Sequence, residues 1–179
     1  LGWDKPEPLV TRRYRREVNE RITSEGRVLR PLDVEGVLAA GRLFRAEGIE
    51  SVAICFIYSH KNPEHERQAA NLLLDIFPEF AVTASIDVLP EAGEYERTST
   101  AVANAYVQPL ISGYLRRLQS QFRDEGYGGV IHLMTSGGSL ASLETAALFP
   151  IRLVESGPAG GAILAAQVAA ERGEDRIVS

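Results

Sequence analysis

The sequence is almost without sulfur, with one cysteine and one methionine among 179 residues. A lone cysteine excludes an internal disulfide, and Cys55 belongs to neither a CxxC pair nor a zinc-spaced Cys/His set. Lying inside "SVAICFIYSH", it reads as a core thiol. Excess positive charge is absent too. A net charge of −5 argues against a non-specific binder of nucleic acid or anionic membrane. The basic cluster "TRRYRR" (11–16) is soon followed by acidic residues, so it reads as a solvated strand face. No apolar run approaches a bilayer span and no leader pattern is visible, so a cytoplasmic location is expected. The histidines are His60, His65 and His132, without HExxH spacing or an evident third ligand, so no metal site is expected.

What is present is an alternation of strand and helix patterns. Residues 12–30 read as extended, with a hairpin turning at Gly26. Asp33 caps a helix carrying Val34, Val37, Leu38 and Phe44, which ends at Gly48. The run "SVAICFIY" (51–58) suits a strand buried on both faces. Asn62 caps a second helix with Pro63 in its first turn and a stripe of Ala69, Leu72, Leu73 and Ile76, stopped by Pro78. "AVTASIDVL" (81–89) reads as a strand. A long helix from about Glu94 to Arg123 places Val102, Tyr106, Leu110, Tyr114, Leu118 and Phe122 on one side, with Pro109 kinking or splitting it. "GGVIHLMTS" (128–136) reads as a strand, "SLETAALF" (142–149) as a short helix and "IRLV" (151–154) as extended. "PAGGAILAAQVAAERG" (158–173) is a helix closed by Gly173. The pattern implies an α/β chain with a mainly parallel sheet flanked by helices. It divides into a hairpin-like region at about 10–31 and one α/β core over about 32–179. The start at Leu1, with the only methionine at Met134, and the strand-like ending "RIVS" suggest a piece of a longer polypeptide, a single partial domain.

Two glycine-rich stretches could carry chemistry. Ser136-Gly137-Gly138-Ser139 follows a strand, where the backbone can approach a ligand and hydroxyls supply donors; a plain tight turn is the alternative. "RLVESGPAGGAILAA" (152–166) could cradle an anion at a helix N-terminus, capped by Ser156 or Gly157. It lacks the lysine of a P-loop, however, and is not GxGxxG. Gly160 and Gly161 fall inside the helix, where each costs about 1 kcal/mol relative to alanine. Close approach by another segment would offset that cost, which favours a packed helix over a phosphate loop. "PEAGEYERTSTAVANAY" (90–106) sets Glu91, Glu94 and Glu96 ahead of Arg97, Thr98, Ser99 and Thr100, with Asn104 further on. A carboxylate pair, a dipole-favoured helix start and a polar face turned toward a site are all compatible with it.

The segments "VNERITSEGRVLRPLD", "SVAICFIYSHKNPEHER", "VLPEAGEYERTSTAVANAYVQP", "LMTSGGSL" and "RLVESGPAGGAILAA", in this order, resemble the hydantoinase A / 5-oxoprolinase family, which includes N-methylhydantoinases and the acetone carboxylase β-subunit. The resemblance implies part of a lobe of an actin-like ATPase, of the sugar-kinase and heat-shock-chaperone kind. ATP and Mg²⁺ would be held in the whole protein by two Asp-x-Gly-Gly-Thr loops, neither of which occurs in this sequence. No bound cofactor, assigned catalytic acid or base, or turnover is therefore expected of this stretch alone. The implied activity is ATP-dependent opening of hydantoin, N-methylhydantoin or 5-oxoproline rings beside a hydantoinase B-type subunit. An ATP-using ketone carboxylase subunit and a non-catalytic scaffold are the alternatives. Residues expected at the nucleotide or substrate cleft are Ser136, Gly137, Gly138, Ser156, Gly157, Gly160, Arg97, Thr98 and Asn104. Gly160 and Gly161 would serve as the hinge of a helix connecting two lobes.

Overall fold

The computed structural model describes residues 7–174 together with Arg176 and Ile177; of the expected terminal strand "RIVS", Arg176 and Ile177 are not in a strand and the last two residues lie outside the described residues. The chain forms two compact units, Leu1–Pro109 and Leu110–Ser179.

In the first unit, β1 (Arg21–Ile22) and β2 (Val28–Arg30) form the antiparallel hairpin, with Gly26 at φ +82° in its turn. Arg12–Tyr14, expected to be extended, is a turn of 3-10 helix. Helix α1 (Val34–Ala46) starts where Asp33 Oδ1 accepts the Gly36 N–H at 3.0 Å. Strand β3 (Ser51–Ile54), α2 (Glu64–Ile76) and β4 (Ala81–Ala84) make a β-α-β crossover. β3 and β4 pair in parallel, from Ser51 opposite Ala81 to Ile54 opposite Ala84. Leu32, Val37, Phe44, Val52, Ile54 and Phe77 belong to the core cluster between these elements. Gly41 admits Phe77 to this core: a Cβ there would lie 2.3 Å from the ring. Phe77, not the exposed Ile76, completes the apolar stripe of α2.

Both strands of the parallel pair are shorter than their sequence patterns, for one reason. After Ile54 the chain leaves the strand, because the Phe56 N–H and C=O bond to Glu66 and Arg97 instead of a neighbouring strand. Tyr58 then takes a left-handed φ of +60°. After Ala84 the chain turns into α3 (Ser85–Val88), where Ser85 and the Ile86 N–H bond to the same Glu66 carboxylate.

Helix α4 (Glu94–Asp124) is unbroken at Pro109. Its expected large-residue stripe is not the buried one: Tyr106, Tyr114 and Phe122 are exposed and Leu110 is 72% exposed. Ala101, Asn104, Ala105 and Gln108 are buried in their place, and Leu115 in the second unit. Small side chains allow close approach there, and Thr83 links the polar ones. Its hydroxyl receives a bond from Asn104 at 3.1 Å and lies 3.1 Å from Gln108 Oε1.

In the second unit, β5 (His132–Met134) pairs antiparallel with β6 (Leu140–Ser142), a strand the sequence pattern did not indicate. Of the three strand pairs among the described residues, only β3–β4 is parallel, so the expected mainly parallel sheet is replaced by small separate sheets. Helix α5 (Leu143–Leu148) is capped by Ser142, whose hydroxyl accepts the Thr145 N–H at 3.2 Å. Leu143 and Ala146 pack on Leu115. Residues 150–153 form a 3-10 turn, not an extended segment, with Pro150 presetting its first φ. Helix α6 (Ser156–Arg172) follows and is closed by Gly173 at φ +68°. Its N-cap is Glu155, at φ +60° and without a side-chain cap bond, so neither Ser156 nor Gly157 caps it. Among the described residues no helix is long and apolar enough to cross a membrane.

Candidate functional site

The turn between β5 and β6 holds its own hydroxyls in place. The Thr135 N–H bonds to the Ser139 carbonyl at 2.8 Å and the Gly138 N–H to the Thr135 carbonyl at 3.0 Å. The two side-chain hydroxyls of Thr135 and Ser139 meet at 2.9 Å. Gly138 has φ +79°, the left-handed position that closes a three-residue hairpin loop. A Cβ at Gly138 would also lie 2.8 Å from Ile163 Cδ1 on α6. The Ser136 N–H bonds to the Arg152 carbonyl at 2.7 Å, tying the turn to the 3-10 segment.

Beside this turn lies a cavity of about 460 Å³. Thr135, Ser136, Ser139, Ser142, Thr145 and Arg152 line it together with Gly137, Leu140 and Ala141, and the Ser142 hydroxyl donates to that of Thr145 at 3.2 Å. The Arg152 guanidinium lies 4.8 Å from the Phe149 ring centroid. No acidic residue is among those lining the space, so its polar residues, hydroxyl-bearing ones and one arginine, suit an anionic or carbonyl-bearing ligand.

Of the residues expected at a cleft, Ser136 and Gly137 line this cavity, while Gly138 shapes the turn. Ser156, Gly157 and Gly160 are absent from the lining. A Cβ at Gly160 would meet Met134 Cγ at an ordinary 3.6 Å, and one at Gly161 would meet nothing within 4 Å. Ser142, Thr145 and Arg152 escaped the sequence reading. The first two look like a helix cap, and Arg152 reaches the turn only through the tertiary bond to Ser136.

Arg97, Thr98 and Asn104 belong to the first unit, where the structure gives them different work. Arg97 is fully buried and donates to Ser85 Oγ at 3.0 Å, the Glu91 carbonyl at 2.9 Å and the Phe56 carbonyl at 2.8 Å. Glu66, also fully buried, accepts from the Phe56 and Ile86 N–H groups and from the Ser59 and Ser85 hydroxyls at 2.7–3.0 Å. Ser85 joins the two, donating to the carboxylate and accepting from the guanidinium. This is a structural network with no open face toward a ligand. Asn104 is likewise buried on Thr83. Glu91, Glu94 and Glu96 are exposed, and the contact Glu91 makes to Arg97 is through its carbonyl.

Cys55 sits at the edge of this network. Burial, then the negative charge of Glu66, push its thiol up to about 11, against opposing contributions from Thr98, Ser85 and Arg97. It is therefore a neutral thiol at pH 7 and no nucleophile. Iodoacetamide is expected to modify Cys55 slowly at neutral pH and faster only as the pH approaches 11, read by mass spectrometry; rapid neutral-pH labelling would contradict this. The folded chain holds this proton longer than the unfolded chain does. The associated stability is therefore present below pH 9.0 and lost as the pH rises toward about 11.

His65 and Glu20, both buried, pair at 2.8 Å and fasten the N-terminal segment to α2. His60 Nδ1 is buried without a hydrogen-bond partner, and burial, followed by the charges of Arg97 and Lys61, holds the ring below its ordinary pKa. His132 is an exposed strand residue.

A family model described as hydantoinase/oxoprolinase N-terminal region matches residues 3–77, and one described as hydantoinase/oxoprolinase matches residues 97–179. An uncharacterized protein of Methanocaldococcus jannaschii is 36% identical over 99% of this chain and 26% of its own length. The caprolactamase alpha subunit of Pseudomonas jessenii is 33% identical over 96% of this chain and 25% of its own. A solved nucleotide-free acetone carboxylase superposes with a TM-score of 0.82 at 29% identity, over 95% of this chain and 24% of that one. The chain thus spans about a quarter of the length of the relatives it matches.

Proposed function

Because this chain belongs to the hydantoinase/oxoprolinase family, we propose that it is a section of a longer ATP-dependent enzyme that opens a cyclic amide, and that its hydroxyl-lined cavity faces the reacting ligand. The cavity carries the reading. Hydroxyl donors and one guanidinium suit the electron-rich edge of an amide, a carboxylate or a phosphate. They do not suit Mg²⁺, which takes carboxylate and water oxygens. Among the described residues no three His, Cys, Asp or Glu side chains converge to hold a metal. The ion that the resemblance implies thus finds no ligand set among the described residues.

ATP, when bound, supplies the phosphoryl group that activates the amide by modifying its oxygen. The part of this chain is binding and orientation. Ser136 and Thr135 offer hydroxyls to the ligand, Arg152 balances its negative edge, and Gly137 keeps the wall open. A Cβ at Gly137 would have only Thr135 Oγ1 nearby, at 3.9 Å. In this reading α6 is the connecting helix of an actin-like lobe, with Ser156, Gly157, Gly160 and Gly161 on its first turns. A hydantoinase B-type subunit completes the enzyme. Support for a lactam comes from the caprolactamase relative; the likeness to acetone carboxylase supports ketone carboxylation as the second reading.

The test is ADP release by the longer polypeptide and its companion subunit. Hydantoin, N-methylhydantoin, 5-oxoproline and caprolactam are compared with acetone plus bicarbonate. Lactam-dependent release is expected, and Arg152→Ala should lower kcat/KM by about tenfold to a hundredfold, the loss of one charge-assisted hydrogen bond. Release driven only by ketone and bicarbonate selects the carboxylase, and none with any substrate selects the scaffold. The 179-residue chain alone is expected to show no turnover.

A further inference from the structure

The β1–β2 hairpin contains an arrangement that its own stability does not explain. Residues 11–30 carry seven arginines against three glutamates, in a chain whose net charge is −5. One of those glutamates, Glu20, is buried against His65. Within the hairpin Arg21 stands directly opposite Arg30, and both are exposed. Directly opposed cross-strand residues have their Cβ atoms about 5 Å apart, and like charges in such a pair are destabilising. Among the described residues neither guanidinium has an ion-pair partner, whereas Arg13, Arg27, Arg42 and Arg67 each have one.

A register irregularity creates the pair. Ile22 stands opposite Val28, so an unbroken antiparallel ladder would set Leu29 opposite Arg21. The ladder shifts by one residue at that point, which leaves Leu29 73% exposed and brings Arg30 opposite Arg21. Bulges of this kind re-aim side chains. Here the result is two exposed arginines at opposed positions of the ladder, next to an exposed leucine.

We propose that this hairpin is a docking element for an acidic segment of a second polypeptide. Two carboxylates of that segment would lie between Arg21 and Arg30, and an apolar side chain would lie against Leu29. Paired forks match carboxylates in geometry, and an anion between them turns their repulsion into attraction. The exposed Val28 and Leu29 favour a polypeptide over free phosphate, for which they have no use. The negative charge of the rest of the chain opposes a nucleic acid.

The probe is a fluorescein-labelled peptide of alternating glutamate and alanine, titrated by anisotropy against the full 179-residue chain. Salt-sensitive binding is expected, weakened about tenfold or more in an Arg21→Gln/Arg30→Gln variant. The control Arg42→Gln/Arg67→Gln, which removes two exposed charges elsewhere, should bind as wild type. The Arg30→Gln protein should melt at or above the wild-type temperature while binding more weakly, which a purely structural arginine would not do. No binding by wild type, equal loss in the control, or undiminished binding in the double variant overturns the proposal. So does displacement by inorganic phosphate at matched ionic strength, or tighter binding of a single-stranded oligonucleotide.

Discussion

Replacing Glu66 by alanine is expected to destabilise the first unit by about 3–5 kcal/mol, the loss typical of breaking a buried charged network. The reason is the number of groups that this carboxylate satisfies. Phe56 N–H, Ile86 N–H, Ser59 Oγ and Ser85 Oγ all converge on it, at a position with no access to water. Alanine leaves the Phe56 and Ile86 N–H groups and the Ser85 hydroxyl buried without that acceptor, Ser59 keeping only the Phe56 carbonyl, and it leaves the Arg97 cation without the negative charge reached through Ser85. Two strands also lose the group that ends them. Glu66→Gln keeps the volume but turns an N–H₂ toward donors, so an intermediate cost of about 1–3 kcal/mol is expected. Urea melts give the magnitude, and hydrogen exchange at Val52, Ile54 and Ala84 locates it. A Glu66→Ala chain that melts with the wild type, its strand amides equally protected, would show that the network contributes little. Arg97→Leu, which strips partners from two backbone carbonyls, tests whether guanidinium and carboxylate act together. If they do, the double variant loses less than the two single variants combined.

That network also marks the limit of what local sequence patterns convey. Helix boundaries were legible because their signals are local. Asp33 and Gly173 act on backbone groups within a few residues, and the structure places caps at both, whereas Pro63 and Glu155 take the cap positions expected of Asn62 and of Ser156 or Gly157. The ends of β3 and β4 were not legible, because a residue ten to twenty positions away decides them. In the sequence Glu66 is simply an acidic residue in the first turn of a helix, where the dipole favours it. α4 misled for the opposite reason. Its tyrosines and leucines at four-residue spacing outweigh its alanines on any hydrophobicity count, yet the alanines permit the closest packing. Arg97 and Asn104, expected at the cleft, are buried on backbone carbonyls and on the Thr83 hydroxyl, contacts that no local pattern conveys. At the candidate site Ser136 and Gly137 were legible as a loop. Arg152 was not, since only the folded chain brings its segment to that loop.

Alanine at Gly160 and Gly161 is expected to stabilise this chain, and leucine at Gly161 to slow the longer enzyme. In this chain a methyl at Gly161 meets open space, and one at Gly160 makes ordinary contact with Met134. Each substitution should therefore return the helix-propensity cost of glycine, about 1 kcal/mol, and the double variant should be stabilised by about 2 kcal/mol. Nothing within the described residues requires glycine at either position, so any requirement lies outside them. The composition of α6 points the same way. From Ser156 to Ala170 it has no charged residue, yet Leu164 is 61% exposed. A helix that is apolar on every side is normally buried. If a neighbouring segment packs closely on α6 and slides over it during turnover, leucine at Gly161 should lower kcat of the longer enzyme at least tenfold, about 1.4 kcal/mol of barrier, without unfolding it. Leucine there with wild-type kcat would remove the hinge reading, because it would show that nothing approaches the helix at that point.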